Sequence, residues 1–181
     1  MARYCLRYYE RTALYFALRD RNEQMSRTRV PPPVYALLAG IAMWLLDRHL
    51  PIAHLWDPPW TQIGSLLVIT GIAIDGWAIA AFFRVRTTLN PMHPERATQL
   101  ITTGLYRYTR NPMYLGLLLV LTGWACLLGS AGPFLALPIF VWTLSALQIV
   151  PEEAAMAERF GTAYASYAQR VPRWIGWRNS S

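Results

Sequence analysis

The chain has no lysine: all 17 of its basic residues are arginine, set against 10 acidic residues for a formal charge of +7. Cysteine is scarce. Cys5 and Cys126 form neither a metal-binding spacing nor a disulfide framework, and Cys126 falls inside an apolar stretch where it serves as a small packing residue. The three histidines, His49, His54 and His93, lack the spacing of a metal site, so no metal is expected. Charged residues make up only 15% of the chain and hydrophobic residues 54%, which excludes an ordinary soluble domain. A surplus of +7 would suit nucleic acid if it formed one stripe. Here the arginines flank apolar segments, and nucleic acid is not expected as a partner. The polar, arginine-rich start has no apolar h-region, so a cleavable signal peptide is not expected either.

What is present is a set of four apolar segments. The first runs from Val34 to Leu46 and borrows the flanks Pro32 to Leu50. The second runs from Trp60 to Phe83, the third from Pro112 to Ser130 and the fourth from Pro133 to Val150. Each approaches the roughly 20 residues that cross a bilayer as a helix. Gly129-Ser130-Ala131-Gly132-Pro133 leaves room only for a tight hairpin between the last two. The fold class is therefore all-α, a polytopic membrane bundle of about four transmembrane helices.

Arginine placement orients it. Seven arginines precede the first span, five (Arg84, Arg86, Arg96, Arg107, Arg110) lie between spans two and three, and four (Arg159, Arg170, Arg173, Arg178) follow the fourth. Only Arg48 lies between spans one and two, and the last hairpin has none. The positive-inside rule then puts both termini and the central loop in the cytoplasm, with Trp56 and Trp60 at the outer interface and Trp174 and Trp177 at the inner one.

Residues 1–33 read as a cytoplasmic N-terminal segment and 34–181 as a single membrane domain. Tyr4, Tyr8, Tyr15 and Phe16 among arginines suit an interfacial helix; the alternative is that the functional chain starts at Met25. After the fourth span, Pro151-Glu152-Glu153 opens a helical pattern that runs to Gln169. Met156, Phe160, Tyr164 and Tyr167 share one face of it, as in an amphipathic helix on the inner membrane surface, anchored by Val171 to Ile175.

The polar residues with chemical potential gather on the cytoplasmic side. In Arg110-Asn111-Pro112-Met113-Tyr114-Leu115-Gly116, Asn111 suits a helix N-cap and Pro112 the first turn. The free N–H groups of that helix start, beside Arg107 and Arg110, suit a carboxylate or phosphate. Glu152 and Glu153 suit a helix start through the dipole alone, but at a membrane boundary they need a partner such as Arg110, Arg170 or a ligand group. The plainer alternative for the whole set is interfacial anchors and topogenic arginines. Asp75, nine residues from Arg84 and so roughly 13 Å down the helix, is either a site residue or hydrogen-bonded to Thr70, Thr122 or Thr143. Gly64 and Gly71, and likewise Gly116 and Gly123, repeat at seven, as on close-packing helix faces. His93 lies in a proline-stiffened loop, as a base or as a plain exposed side chain.

Two motifs carry a resemblance. Thr103-Gly104-Leu105-Tyr106-Arg107-Tyr108-Thr109-Arg110-Asn111-Pro112-Met113-Tyr114-Leu115-Gly116 resembles the central motif of the isoprenylcysteine carboxyl methyltransferase and phospholipid methyltransferase superfamily. Glu152-Glu153, Arg159-Phe160-Gly161, Tyr164, Tyr167 and Arg170-Val171-Pro172 resemble its C-terminal pattern. The likeness spans residues 60 to 175. It implies S-adenosylmethionine as cofactor, bound at the cytoplasmic membrane face by Tyr106, Arg107, Arg110, Asn111, Pro112, Tyr114, Leu115, Gly116, Tyr164 and Tyr167. Glu152, Glu153 and Arg170 would be the catalytic residues, with Arg170 orienting a carboxylate acceptor or a glutamate taking a proton from an amine or thiol. The implied partner is a lipophilic methyl acceptor entering from the bilayer. The isoprenylcysteine enzymes usually carry His where this chain has Asn111, and the alternative acceptor is a phospholipid amine, a thiol or another small hydrophobic molecule. A non-enzymatic membrane scaffold or assembly subunit is the reading from another class. The small size resembles prokaryotic members, implying a bacterial inner membrane. Oligomeric state is not set by the sequence.

Overall fold

Proline opens two of the helices, at Pro32 and Pro112, where an N–H has no partner to lose. The computed structural model describes residues 30–50, 60–85 and 99–175. Helix α1 is Pro32–His49 and begins with Pro at its first turn. Helix α2 is Trp60–Val85. A 3-10 turn, Gly104–Arg107, precedes α3, Pro112–Leu128. A second 3-10 turn, Gly132–Leu135, leads into α4, Ala136–Leu144. Then come α5, Val150–Phe160, and α6, Thr162–Arg170. Every regular element among the described residues is helical.

Helices α2 and α3 pack antiparallel through their glycines. A Cβ on Gly71 would stand 2.6 Å from the Gly116 carbonyl oxygen, and one on Gly64 would stand 2.8 Å from that of Gly123. The two seven-residue repeats are therefore one interface, as their spacing implies. Helix α3 ends on Gly129, which takes the left-handed conformation (φ 81°) and turns the chain into the tight hairpin expected there. Ser130 in that turn donates to Asp47 at the end of α1 at 2.5 Å. Trp124 Nε1 donates to the Gly40 carbonyl at 3.2 Å, tying α3 to α1. Met43, Leu121, Ala125, Phe140 and Leu144 form the core between α1, α3 and α4.

The fourth segment departs from expectation. The sequence suggests a span ending at Val150 and a fresh helix start at Pro151. Instead α4 runs into α5 through a π turn, Ser145–Ile149, as one continuous helical rod. Proline lacks an N–H and crowds the carbonyl four residues back, and the wider π turn just before Pro151 gives it room. Glu152 and Glu153 thus sit mid-rod, not at a free positive helix end. The tail helix also differs. It breaks at Gly161, whose backbone (φ 51°, ψ −123°) suits glycine, so the single helix expected over 151–169 is two. Met156, Phe160, Tyr164 and Tyr167 still cluster across the break, joined by Leu100 and Val171.

Two helices, Thr61–Ala81 and Gly132–Phe160, are long and apolar enough to cross a membrane, and Pro112–Leu128 is apolar but shorter. Their outward faces are greasy: Leu66, Ile69 and Ile72 on α2 and Ile139 and Trp142 on α4 are all at least 60% exposed. A patch of that kind is costly in water and at home in lipid. Cys5, His54, His93, Trp56, Trp177 and the N-terminal segment lie outside the described residues.

Candidate functional site

The site begins where the chain must approach a ring. Gly104 has φ 63°, and a Cβ there would overlap the Trp77 indole of α2. This seats the turn before α3 on the C-terminal half of α2. The next residues bury Tyr106, whose carbonyl accepts a hydrogen bond from the Tyr167 hydroxyl at 2.8 Å. Turn and tail helix are thereby joined.

The tail then crosses the mouth of α3. The Arg110 backbone N–H donates to the Pro172 carbonyl at 3.0 Å. Asn111 Nδ2 and the Thr109 hydroxyl both donate to the Arg173 carbonyl, at 2.9 and 3.2 Å. Asn111 occupies the N-cap position, as expected, but its side chain makes no cap hydrogen bond. It reaches out to the tail instead. Its own N–H donates to Thr109 Oγ1 at 3.1 Å. These bonds come from the extended segment after the tail helix.

Two carboxylates lie under this closure. Glu153 is gripped from both halves of the chain: Arg110 Nη1 stands 3.0 Å from Oε1, while Arg173 donates through Nε at 3.0 Å and Nη2 at 2.6 Å. The Arg110 and Glu153 side chains are only 12% and 17% exposed, so the pair is largely desolvated. Arg110 also donates to the Tyr164 hydroxyl at 3.4 Å. Glu152 accepts from the Tyr114 hydroxyl of α3 at 2.6 Å. Burial, with Glu153 next, pushes the Tyr164 phenol up, opposed by Arg110. Burial likewise raises the phenols of Tyr106 and Tyr167. These hydroxyls therefore stay neutral donors. Hydrogen bonding to Glu153 raises the Arg173 guanidinium, which stays charged.

The expected residues divide among three places. Tyr106, Arg110, Asn111, Tyr114, Glu152, Glu153, Tyr164 and Tyr167 meet around the carboxylates, with Pro112 buried at the first turn of α3 and Leu115 half-buried. Arg107 and Arg170 do not pair with the glutamates. They are exposed and line a separate pocket of about 230 Å³ with Thr102, Tyr167 and Val171, and Arg170 Nε donates to the Ser166 carbonyl of its own helix at 3.2 Å. The expected Arg170 partner of the glutamates is replaced by Arg173. Gly116 faces α2, where a Cβ would collide with the Asp75 carboxylate. Thr70 and Thr122, two of the threonines expected beside Asp75, return their hydroxyls to their own helices, and Asp75 Oδ1 is buried without a hydrogen bond.

Sequence reasoning missed Arg173, Thr109 and the buried Gln148 of the π turn. The sequence suggests for Arg173 only a place in the membrane anchor Val171 to Ile175. Its signal was its place right after Val171-Pro172, where an extended segment brings one side chain back over the glutamates.

An apolar helical bundle whose polar tail folds over an Asn-Pro helix start and shares an ion pair with it defines a membrane-type helical protein with a built polar centre at one end. The chain belongs to the phospholipid methyltransferase family, whose model matches residues 60–163. It is 31% identical over 126 residues to protein-S-isoprenylcysteine O-methyltransferase B of Arabidopsis thaliana, covering 70% of this chain and 62% of that protein. It is 34% identical over 76 residues to the protein-S-isoprenylcysteine O-methyltransferase of Schizosaccharomyces pombe, covering 42% and 32%. It is 29% identical over 164 residues to methanethiol S-methyltransferase 1 of Bradyrhizobium diazoefficiens, covering 81% and 54%. The chain spans about six-tenths of the length of the plant relatives it matches. No solved structure matches it.

Proposed function

We propose that this protein transfers a methyl group from S-adenosylmethionine to a lipophilic acceptor at the cytoplasmic face of a membrane, in the manner of the isoprenylcysteine carboxyl methyltransferases. The observation that carries this is the closure of the centre. Glu153 is shared by Arg110 of the central motif and Arg173 of the tail, so two halves 43 residues apart in sequence (Arg110 to Glu153) build one polar chamber at the end of an apolar bundle.

The residues suit the cofactor. Arg110 Nε is buried without a hydrogen-bond partner, a vacant donor of the kind a carboxylate fills. The glutamates offer anionic oxygens to a cationic ligand, and the neutral phenols of Tyr106, Tyr164 and Tyr167 offer ring faces to one. Tyr106, Arg110, Asn111, Pro112, Tyr114, Leu115, Tyr164 and Tyr167 would hold it, beneath Glu152 and Glu153. Bound there, it supplies an electrophilic sulfonium methyl.

The chain's own contribution is positioning and exclusion of water. The tail bonds to Asn111 and Thr109 shut the chamber. Tyr114 orients Glu152, which is the candidate to take a proton when the acceptor is an amine or thiol. Arg110 and Arg173 hold the Glu153 carboxylate in place. A carboxylate acceptor needs no base.

The finer topology belongs to the same proposal: four spans, α1 to α4, with both termini cytoplasmic. The Asp47–Ser130 bond gathers the end of α1 and the α3–α4 turn at one end of the bundle. Trp77 against Gly104 gathers the inner end of α2 and the start of α3 at the other, beside the glutamates. The likeness to a methanethiol methyltransferase favours a small thiol as the second acceptor class.

The test is transfer of labelled methyl from S-adenosylmethionine into a total lipid and small-molecule extract by the purified protein. The proposal expects a labelled product that partitions into organic solvent, and loss of about tenfold or more in rate for Tyr114→Phe with the fold retained. No transfer into any extract by a folded protein would favour the scaffold reading instead.

A further inference from the structure

The pocket between Arg107 and Arg170 is not accounted for by the methyl-transfer centre. It holds about 230 Å³, less than the roughly 300–1,000 Å³ of sites that enclose a drug-sized ligand. That is small for a whole nucleoside cofactor and of the size of a lipid headgroup. The described residues of its wall are Thr102, Arg107, Tyr167, Arg170 and Val171, with no carboxylate among these described residues. Neither arginine pairs with a carboxylate among the described residues, in contrast to Arg110 and Arg173. The Tyr167 hydroxyl is committed to the Tyr106 carbonyl, so its ring and Val171 form a fixed apolar wall while the two guanidiniums and the Thr102 hydroxyl supply donors.

We propose that this pocket binds the phosphate of an anionic membrane phospholipid that is not itself methylated. The proposal rests on the membrane reading above. Guanidinium forks match phosphate oxygens in geometry and charge. Two cations without a carboxylate disfavour the choline of a zwitterionic lipid and favour a headgroup that keeps its net negative charge. The 3-10 turn carrying Arg107 ends five residues before α3 begins, which sets the pocket at headgroup depth. The fixed wall of Tyr167 and Val171 suits the glycerol carbons beside the phosphate. Binding there would brace the junction of turn and tail that closes the glutamate centre.

The experiment is native mass spectrometry of the full chain released from nanodiscs of equal phosphatidylglycerol and phosphatidylcholine. Wild type is expected to retain phosphatidylglycerol preferentially. Arg107→Gln/Arg170→Gln is expected to reduce that preference about tenfold. Arg159→Gln, also exposed and equal to each in charge lost, is the control expected to keep it. Preference unchanged in the double variant overturns the site. So does a double variant that loses S-adenosylhomocysteine affinity while keeping its lipid, because the pocket then belongs to the cofactor. Inorganic phosphate that displaces the lipid at equal concentration overturns the lipid source. Alkaline carbonate extraction reads the membrane assignment separately: a chain that stays in the pellet without lipid preference defeats the site alone, and one that is extracted defeats both.

Discussion

Glu153 carries two guanidiniums on one carboxylate, and the three side chains differ in exposure. Arg110 and Glu153 are mostly covered, while Arg173 is 37% exposed. Removing the shared charge strands two cations, one of them buried. Glu153→Gln is therefore expected to destabilise the fold by about 2–4 kcal/mol. Arg173→Gln leaves the Arg110 pair in place and loses a half-solvated contact, so about 1 kcal/mol is expected. Denaturant unfolding in detergent, followed by tryptophan fluorescence, compares them; equal small losses for both would mean the pair is a surface ornament. At this scale the sequence spoke partially. The glutamates, Arg110 and the tyrosines were legible because a carboxylate at a membrane boundary must find a partner. Which arginine answers was not, because Arg170 and Arg173 are three residues apart and only the turn from helix to extended chain at Val171 decides which one points inward.

Helix identity was legible from apolar runs and proline starts, but helix continuity was not. Nothing in Val150-Pro151-Glu152-Glu153 distinguishes a helix start from a π turn that absorbs a proline, since both satisfy the missing N–H. The glycine repeats were read correctly because helix contact at seven-residue spacing leaves a sequence trace. They also give a sharp element-scale prediction. Gly116 has no space for a methyl, with the Asp75 carboxylate and the Gly71 carbonyl against it, whereas a Cβ on Gly76 meets nothing within 4 Å. Gly116→Ala is expected to part α2 from α3 at a cost of about 1–3 kcal/mol, and Gly76→Ala to be neutral or slightly stabilising by helix propensity. The same unfolding assay decides it. Equal tolerance of both substitutions would contradict the close approach.

At the scale of the molecule the proposed reaction depends on orientation, because S-adenosylmethionine from the cytoplasm would have to reach the glutamate end. Arginine distribution predicts the glutamate end inside and the α3–α4 turn outside. Ser130 is a poor reporter, being fully buried against Asp47, so its half-exposed neighbour Ala131 is the better site. With Cys5 and Cys126 replaced, Ala131→Cys is expected to react with an impermeant thiol reagent in intact cells, and the exposed Ala163→Cys on α6 only after lysis. The reverse pattern would invert the protein and separate the centre from its cofactor.

The most direct measurement of the central claim is calorimetric titration of the purified protein in detergent with S-adenosylhomocysteine, alongside Asn111→Leu. The account predicts saturable one-to-one binding by the wild type. For the variant, which loses the bond from Asn111 to the Arg173 carbonyl that holds the tail closed, it predicts affinity weaker by about 1 kcal/mol or more. Absence of binding by the folded wild type, or undiminished affinity in a folded Asn111→Leu, would contradict a cofactor chamber closed by the tail.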